Sequence, residues 1–180
     1  MLRPLCAAVL AGLCLSAAAA DDTKLKVKAG DRFPDIPLPA VQAGKVKPGA
    51  DALSVADLKG KVVVVFFYPK ALTRGCTVES CGFRDLAGEF PKDAVVLGAS
   101  ADDKALQQKF IDAHNLPFPL LCDTDRKLIR ELGILSANGR TPQRVTFVVG
   151  KDGTIAKVYD KVDPAKHPKE VLELVKGLQK

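Results

Sequence analysis

The six residues Val62-Val63-Val64-Val65-Phe66-Phe67 constrain this chain most: they form an unbroken β-branched and aromatic run with no polar residue to face water. Six residues are too few for an ordinary buried helix and suit a strand buried on both faces. Such a strand needs helices above and below it, and so implies a parallel or mixed sheet at the centre of an α/β domain. Pro69 ends the run, and the loop Lys70 to Gly75 follows.

Periodicity extends this pattern along the chain. Asp21 to Gly60, rich in Pro, Gly and Lys, reads as an extended lead-in laid over the core, anchored by Phe33, Ile36, Leu38 and Val41. Thr77 to Phe90 predicts an amphipathic helix with Val78, Cys81, Leu86 and Phe90 inward and Glu79, Arg84, Asp85 and Glu89 outward. Ala94 to Ser100 predicts a strand, and Asp102 or Asp103 can cap a helix running to about His114. Phe118 to Cys122 reads as a short strand, and Asp123 to Leu132 as a helix stopped by Gly133. Arg144 to Val149 and Thr154 to Tyr159 flank the turn Gly150-Lys151-Asp152-Gly153, and Pro168 to Leu178 closes the chain as a helix. Helices alternating with strands predict parallel pairing, the hairpin antiparallel pairing, and the whole is thioredoxin-like with helices on both faces.

A length of 180 residues suits a single domain over residues 21–180 preceded by a leader. Arg3, the apolar run Leu5 to Leu15, then Ser16 and four alanines read as a signal peptide over residues 1–20, cleaved after Ala18 or Ala20. The apolar run is short for a membrane span, so no stable insertion is expected after processing; export follows, to the periplasm if the source is a Gram-negative bacterium. The net charge of +6 is dispersed in short patches, and the chain has no tryptophan, which excludes the clustered cations and stacking platforms of nucleic-acid binding.

Of five cysteines, Cys6 and Cys14 leave with the leader; Cys76, Cys81 and Cys122 remain. Cys76 stands at a helix start beside Arg74, where the dipole and the cation favour a thiolate and should lower its pKa. Thr73 can cap that helix or hydrogen-bond the sulfur or its substrate. On an intact helix Cys76 and Cys81 would have Cα atoms about 8.7 Å apart, from about 1.5 Å rise and about 100° per residue, beyond the roughly 7 Å reach of a disulfide. They can bond only if the helix unwinds, or if the segment is irregular and the bridge static. Cys122 reads as a buried spectator, and neither His114 nor His167, the latter in a polar loop, is given a role.

The run Phe67-Tyr68-Pro69-Lys70-Ala71-Leu72-Thr73-Arg74-Gly75-Cys76 resembles the peroxiredoxin signature Pro-x-x-x-Thr-x-x-Cys. Cys81 five positions on resembles the bacterioferritin comigratory protein (Q-type) subfamily. The similarity starts near Ala29, with Gly30-Asp31-Arg32-Phe33-Pro34 like the family's lead-in, and departs at Arg74, where the family often has proline. The resemblance implies a thiol-dependent peroxidase with Cys76 peroxidatic, Cys81 resolving, Thr73 and Arg144 orienting the peroxide and Pro69 shielding the site. It implies an intramolecular Cys76–Cys81 disulfide, hydrogen peroxide and organic hydroperoxides as substrates, and a thioredoxin-like or other dithiol protein as reductant. No cofactor or metal is expected, and the chain should be a monomer or weak dimer. Two alternatives share the fold and the leader. Copper-delivery proteins use Cys-x3-Cys and a later histidine, where this chain reads Thr141-Pro142-Gln143-Arg144. Thiol–disulfide exchange proteins generally use Cys-x-x-Cys.

Overall fold

The structure, a computed structural model, describes residues 21–178, so the leader expected over 1–20 lies outside the described residues. Strand β3 (Val62–Phe67) is buried along its whole length, as its composition demands. Its side chains alternate between two cores. Val63, Val65 and Phe67 join Phe33, Leu97, Leu128, Ile129 and Leu132 on one face. Val62, Val64 and Phe66 join Cys76, Phe83, Phe110, Ile111, Val171 and Val175 on the other. Helices therefore cover both faces: α3 (Lys127–Leu132) one, and α1 (Arg74–Asp85), α2 (Lys104–His114) and α4 (His167–Gly177) the other.

The seven strands β1 (Leu38–Val41), β2 (Ala52–Leu53), β3, β4 (Ala94–Ser100), β5 (Leu120–Cys122), β6 (Val145–Val149) and β7 (Ile155–Tyr159) stand in the order β2-β1-β5-β4-β3-β6-β7. β3, β4 and β5 run parallel, joined through helices, while β6 pairs antiparallel with both β3 and β7. This is a mixed thioredoxin-like sheet.

Three readings need correction. The lead-in does more than lie over the core: its Leu38–Val41 segment pairs antiparallel with β5 and with β2, extending the sheet past the short β5. The helix expected over Thr77 to Phe90 starts at Arg74 and ends at Asp85, with a 3-10 turn at Ala87–Glu89 after it. Its inner face is also different: Val78 is 43% exposed, and Cys76, Glu79, Ser80 and Phe83 are buried. Cys76 and Phe83, two turns apart, fix the buried stripe, and Glu79 lies on it.

Gly133 ends α3 in a left-handed conformation, where a Cβ would stand 1.8 Å from the Lys24 carbonyl oxygen. Glycine is required there both by φ and by the lead-in pressed against it.

Candidate active site

The site forms where β3 stops. Tyr68 continues the ladder by one bond to the Ala99 carbonyl, and the chain then turns through Pro69 to Thr73 into α1, which begins one residue before the Gly75 where the sequence pattern ends the loop. Asp102 ties this loop down: its carboxylate accepts from the Ala71 N–H at 2.8 Å and from the Ser100 hydroxyl at 2.8 Å. Ser100 also accepts from the Gln107 amide at 2.8 Å, linking the tether to α2, which Asp103 and not Asp102 caps. Leu72 takes a left-handed φ of 63° and is 45% exposed. A non-glycine residue held there is strained, and the tether at the preceding residue helps impose that turn.

Thr73 occupies the N-cap position, and its carbonyl accepts from the Thr77 N–H at 2.8 Å. Its hydroxyl, however, caps nothing; it donates to the Lys70 carbonyl at 2.9 Å. The hydroxyl oxygen keeps lone pairs free to accept a hydrogen bond. Cys76 is the third residue of α1, fully buried, with the first-turn N–H groups around it.

The cation beside the sulfur is Arg144, while Arg74, its sequence neighbour, is exposed. β6 pairs with β3 so that Val145 lies opposite Phe67, which places Arg144 beside the strand end where the loop begins. Its Nη2 donates to Cys76 Sγ at 3.3 Å. Gly75 makes room for this approach, since a Cβ there would lie 3.3 Å from Nη2.

The same guanidinium holds a residue that the sequence pattern placed on the solvent side. Arg144 Nη1 donates to Glu79 Oε2, and Glu79 is wholly buried with its Oε1 unpartnered. Burial pushes the Glu79 carboxyl up to about 7, against the pull of Arg144. For Arg144 burial works against the cation, but Glu79 and Cys76 outweigh it and hold the guanidinium above its ordinary range. A spacing signal existed: Glu79 follows Cys76 by three and precedes Phe83 by four, on one helical face.

Cys81 is half-buried one and a half turns after Cys76, and both are free thiols. The first part of α1 is a weak helix by composition, with Gly75, Thr77, Val78, Ser80, Cys81 and Gly82. Tertiary contacts hold it: Phe83 stacks on Phe66 with centroids 4.6 Å apart, and Gly82 faces Pro168 so closely that a Cβ would lie 2.7 Å from its Cγ.

Cys122 lies apart, at the end of β5 opposite Ser100, and burial pushes its thiol up to about 11. His167 is not a loop residue but the first residue of α4, fully buried between Tyr159 and Phe83, its Nε2 2.8 Å from the Thr146 hydroxyl. Burial drives it down to about 4.

A thiol held this close to a guanidinium at a helix start, on a thioredoxin-like sheet, is the equipment of a thiol-dependent peroxidase. Comparisons with known proteins give the same class. The AhpC/TSA family profile matches residues 29–158. Peroxiredoxin Bcp of Bacillus subtilis is 36% identical over 161 residues, covering 86% of this chain and 98% of that protein. Peroxidoxin BcpB of Mycobacterium tuberculosis superposes with a TM-score of 0.73 at 31% identity, over 85% of this chain and 99% of that one. The bacterioferritin comigratory protein of Xanthomonas campestris, described for its alkyl peroxide reduction activity, gives 0.74 at 29% identity, over 84% and 99%. The chain belongs to the AhpC/TSA family and is a peroxiredoxin akin to the Bcp and peroxiredoxin Q proteins.

Proposed function

We propose that this peroxiredoxin reduces hydrogen peroxide and organic hydroperoxides with Cys76 as the peroxidatic residue and Cys81 as the resolving one. The observation that carries the reading is the Arg144 guanidinium 3.3 Å from the Cys76 sulfur at the first turn of α1. The same positive charge repels a copper ion, which leaves copper delivery without support.

The Cys76 thiolate attacks one peroxide oxygen; an S–O bond forms, the O–O bond breaks, and the leaving oxygen takes a proton. Arg144 and the first-turn N–H groups stabilise the charge that develops on that oxygen. Thr73, its proton already donated to Lys70, accepts from the incoming peroxide and orients it, while Pro69 shields the sulfur from solvent. Cys76 is left as a sulfenic acid. α1 then unwinds locally, and Cys81 displaces water to form an intramolecular disulfide. The weak helical composition of residues 75–82 supports that step. An external dithiol protein, thioredoxin-like in chemistry, reduces the disulfide. With residues 1–20 as a signal peptide, the enzyme would work outside the cytoplasm, where an envelope thiol relay must supply the electrons.

Stopped-flow mixing of the reduced mature protein with hydrogen peroxide tests the reading, with intact mass after one equivalent. Cys76→Ser should consume no peroxide, whereas Cys81→Ser should react once and accumulate sulfenic or sulfinic acid on Cys76. Thiol loss no faster than that of free cysteine would overturn the peroxidase, and normal cycling by Cys81→Ser would overturn the resolving role.

A further inference from the structure

Cys76 and Glu79 share one cation. Arg144 donates Nη2 to the sulfur and Nη1 to the carboxylate, and among the described residues neither group has another charged partner. Both are buried, so solvent cannot neutralise a second negative charge, and Glu79 Oε1 has no donor facing it. A thiolate and a carboxylate together would leave the site with a net buried charge of minus one, an expensive state in a low dielectric.

From this geometry we infer that Glu79 is the charge-compensating acid of the cycle, protonated while Cys76 is a thiolate and ionised once the sulfur has become a sulfenic acid. The inference rests on the peroxidase reading above. It keeps the three groups neutral in sum in both states: thiolate, guanidinium and carboxylic acid before the reaction; sulfenic acid, guanidinium and carboxylate after it. The balance is complete. The thiolate gains an OH from the peroxide and is oxidised by two electrons, the O–O bond is reduced, and the leaving alkoxide or hydroxide takes up one proton. Glu79 releases one proton. Glu79 does not touch the peroxide; it acts through Arg144, whose second amino group becomes fully available to the carboxylate when the sulfur loses its charge.

The other titratable groups around this line do not serve. Tyr68 is held neutral by burial, with its ionisation well above the ordinary range, and His167 is neutral down to about 4. Glu79 itself, raised by burial to about 7, is poised where a neighbouring charge decides its state.

Infrared difference spectroscopy at about pH 8, above the value of about 7 that burial against Arg144 gives Glu79, tests this in the Cys81→Ser protein, which halts at the sulfenic acid. The reduced protein should show the carbonyl stretch of a buried protonated carboxyl, lost in proportion to Cys76 oxidised by one equivalent of hydrogen peroxide. Glu79→Gln should lack that band. Asp123, the other carboxyl buried among the described residues, is bonded by the Lys127 and Ile129 N–H groups and keeps its signal unchanged. Cys76→Ser, with no thiolate to compete for Arg144, should lose most of the band without any peroxide, a readout that does not need the Glu79 variant to fold. In lightly buffered solution, Cys81→Ser with Glu79→Gln should take up one more proton per sulfur oxidised than Cys81→Ser alone. Absence of the band in reduced protein, its survival after Cys76 is oxidised by mass, or equal proton uptake would overturn the inference alone. A protein whose mass does not change with peroxide would sink the peroxidase reading, and this inference with it.

Discussion

Asp102 holds Ala71: its carboxylate takes the backbone N–H of the loop residue at 2.8 Å, across from the end of β4. This bond, backed by Ser100 and Gln107, joins the loop before Cys76 to α2. Asp102→Ala orphans a largely buried N–H, which should lower stability by about 1–3 kcal/mol. It should also slow peroxide reduction by releasing the Leu72 turn. Asp102→Asn, whose amide oxygen can still accept, should recover most of both. Denaturant midpoints and stopped-flow rates on the two variants check this.

Phe83 lies behind the segment that the proposed mechanism unwinds, stacked on Phe66. Phe83→Leu should destabilise the fold by about 1–2 kcal/mol. Because the lost contact opposes unwinding, the same variant should form the Cys76–Cys81 disulfide faster and lose less enzyme to sulfinic acid under excess peroxide. Rapid quenching with mass detection measures both; an unchanged or slower disulfide step would show that unwinding of α1 does not limit resolution.

Cys122, with its thiol pushed up to about 11, should be the last cysteine to alkylate in the native protein. At pH 8 only about one molecule in a thousand would carry its thiolate. Cys122→Ser should leave peroxide consumption and disulfide formation unchanged. Peptide mapping after timed iodoacetamide labelling gives the order of reaction.

His167 sets an acid limit on stability. Its folded pKa, about 4, lies below the unfolded value of 6.5, so the unfolded chain binds a proton that the native protein refuses. The stability it allows is complete above pH 6.5 and falls as the pH drops towards 4, by up to about 3 kcal/mol. Glu79 acts in the opposite sense: raised to about 7 from 4.5, it lends stability at low pH that is lost as the pH rises through 7. His167→Gln should flatten the decline below pH 6.5, and Glu79→Gln should steepen it. Urea melts at half-unit pH steps check both slopes.

Val62–Phe67 marks the central strand because an all-apolar run leaves no alternative to burial on two faces, and the cysteine at a helix start after Arg-Gly marks the residue proposed as nucleophile. Arg144 was legible only through the family resemblance, since its approach to Cys76 depends on the register of β6 against β3. Periodicity puts Glu79 and Val78 on the wrong sides because hydropathy ranks a carboxylate as solvent-facing and a valine as core. What reverses that ranking is a guanidinium supplied from a distant strand, a partner no local pattern contains. His167 was hidden for the same reason: its partner, Thr146, lies on β6.

The contact between Gly82 and Pro168 leaves no space for a side chain next to Cys81, the proposed resolving residue. Gly82→Ala would wedge the carboxyl-terminal helix away from its neighbour. In the proposed cycle the closing helix would thereby act as a clamp on the recovery half, well separated in sequence from Cys76. Changes near the tail of the chain should therefore register as altered survival under oxidative load while the speed of the first encounter stays the same.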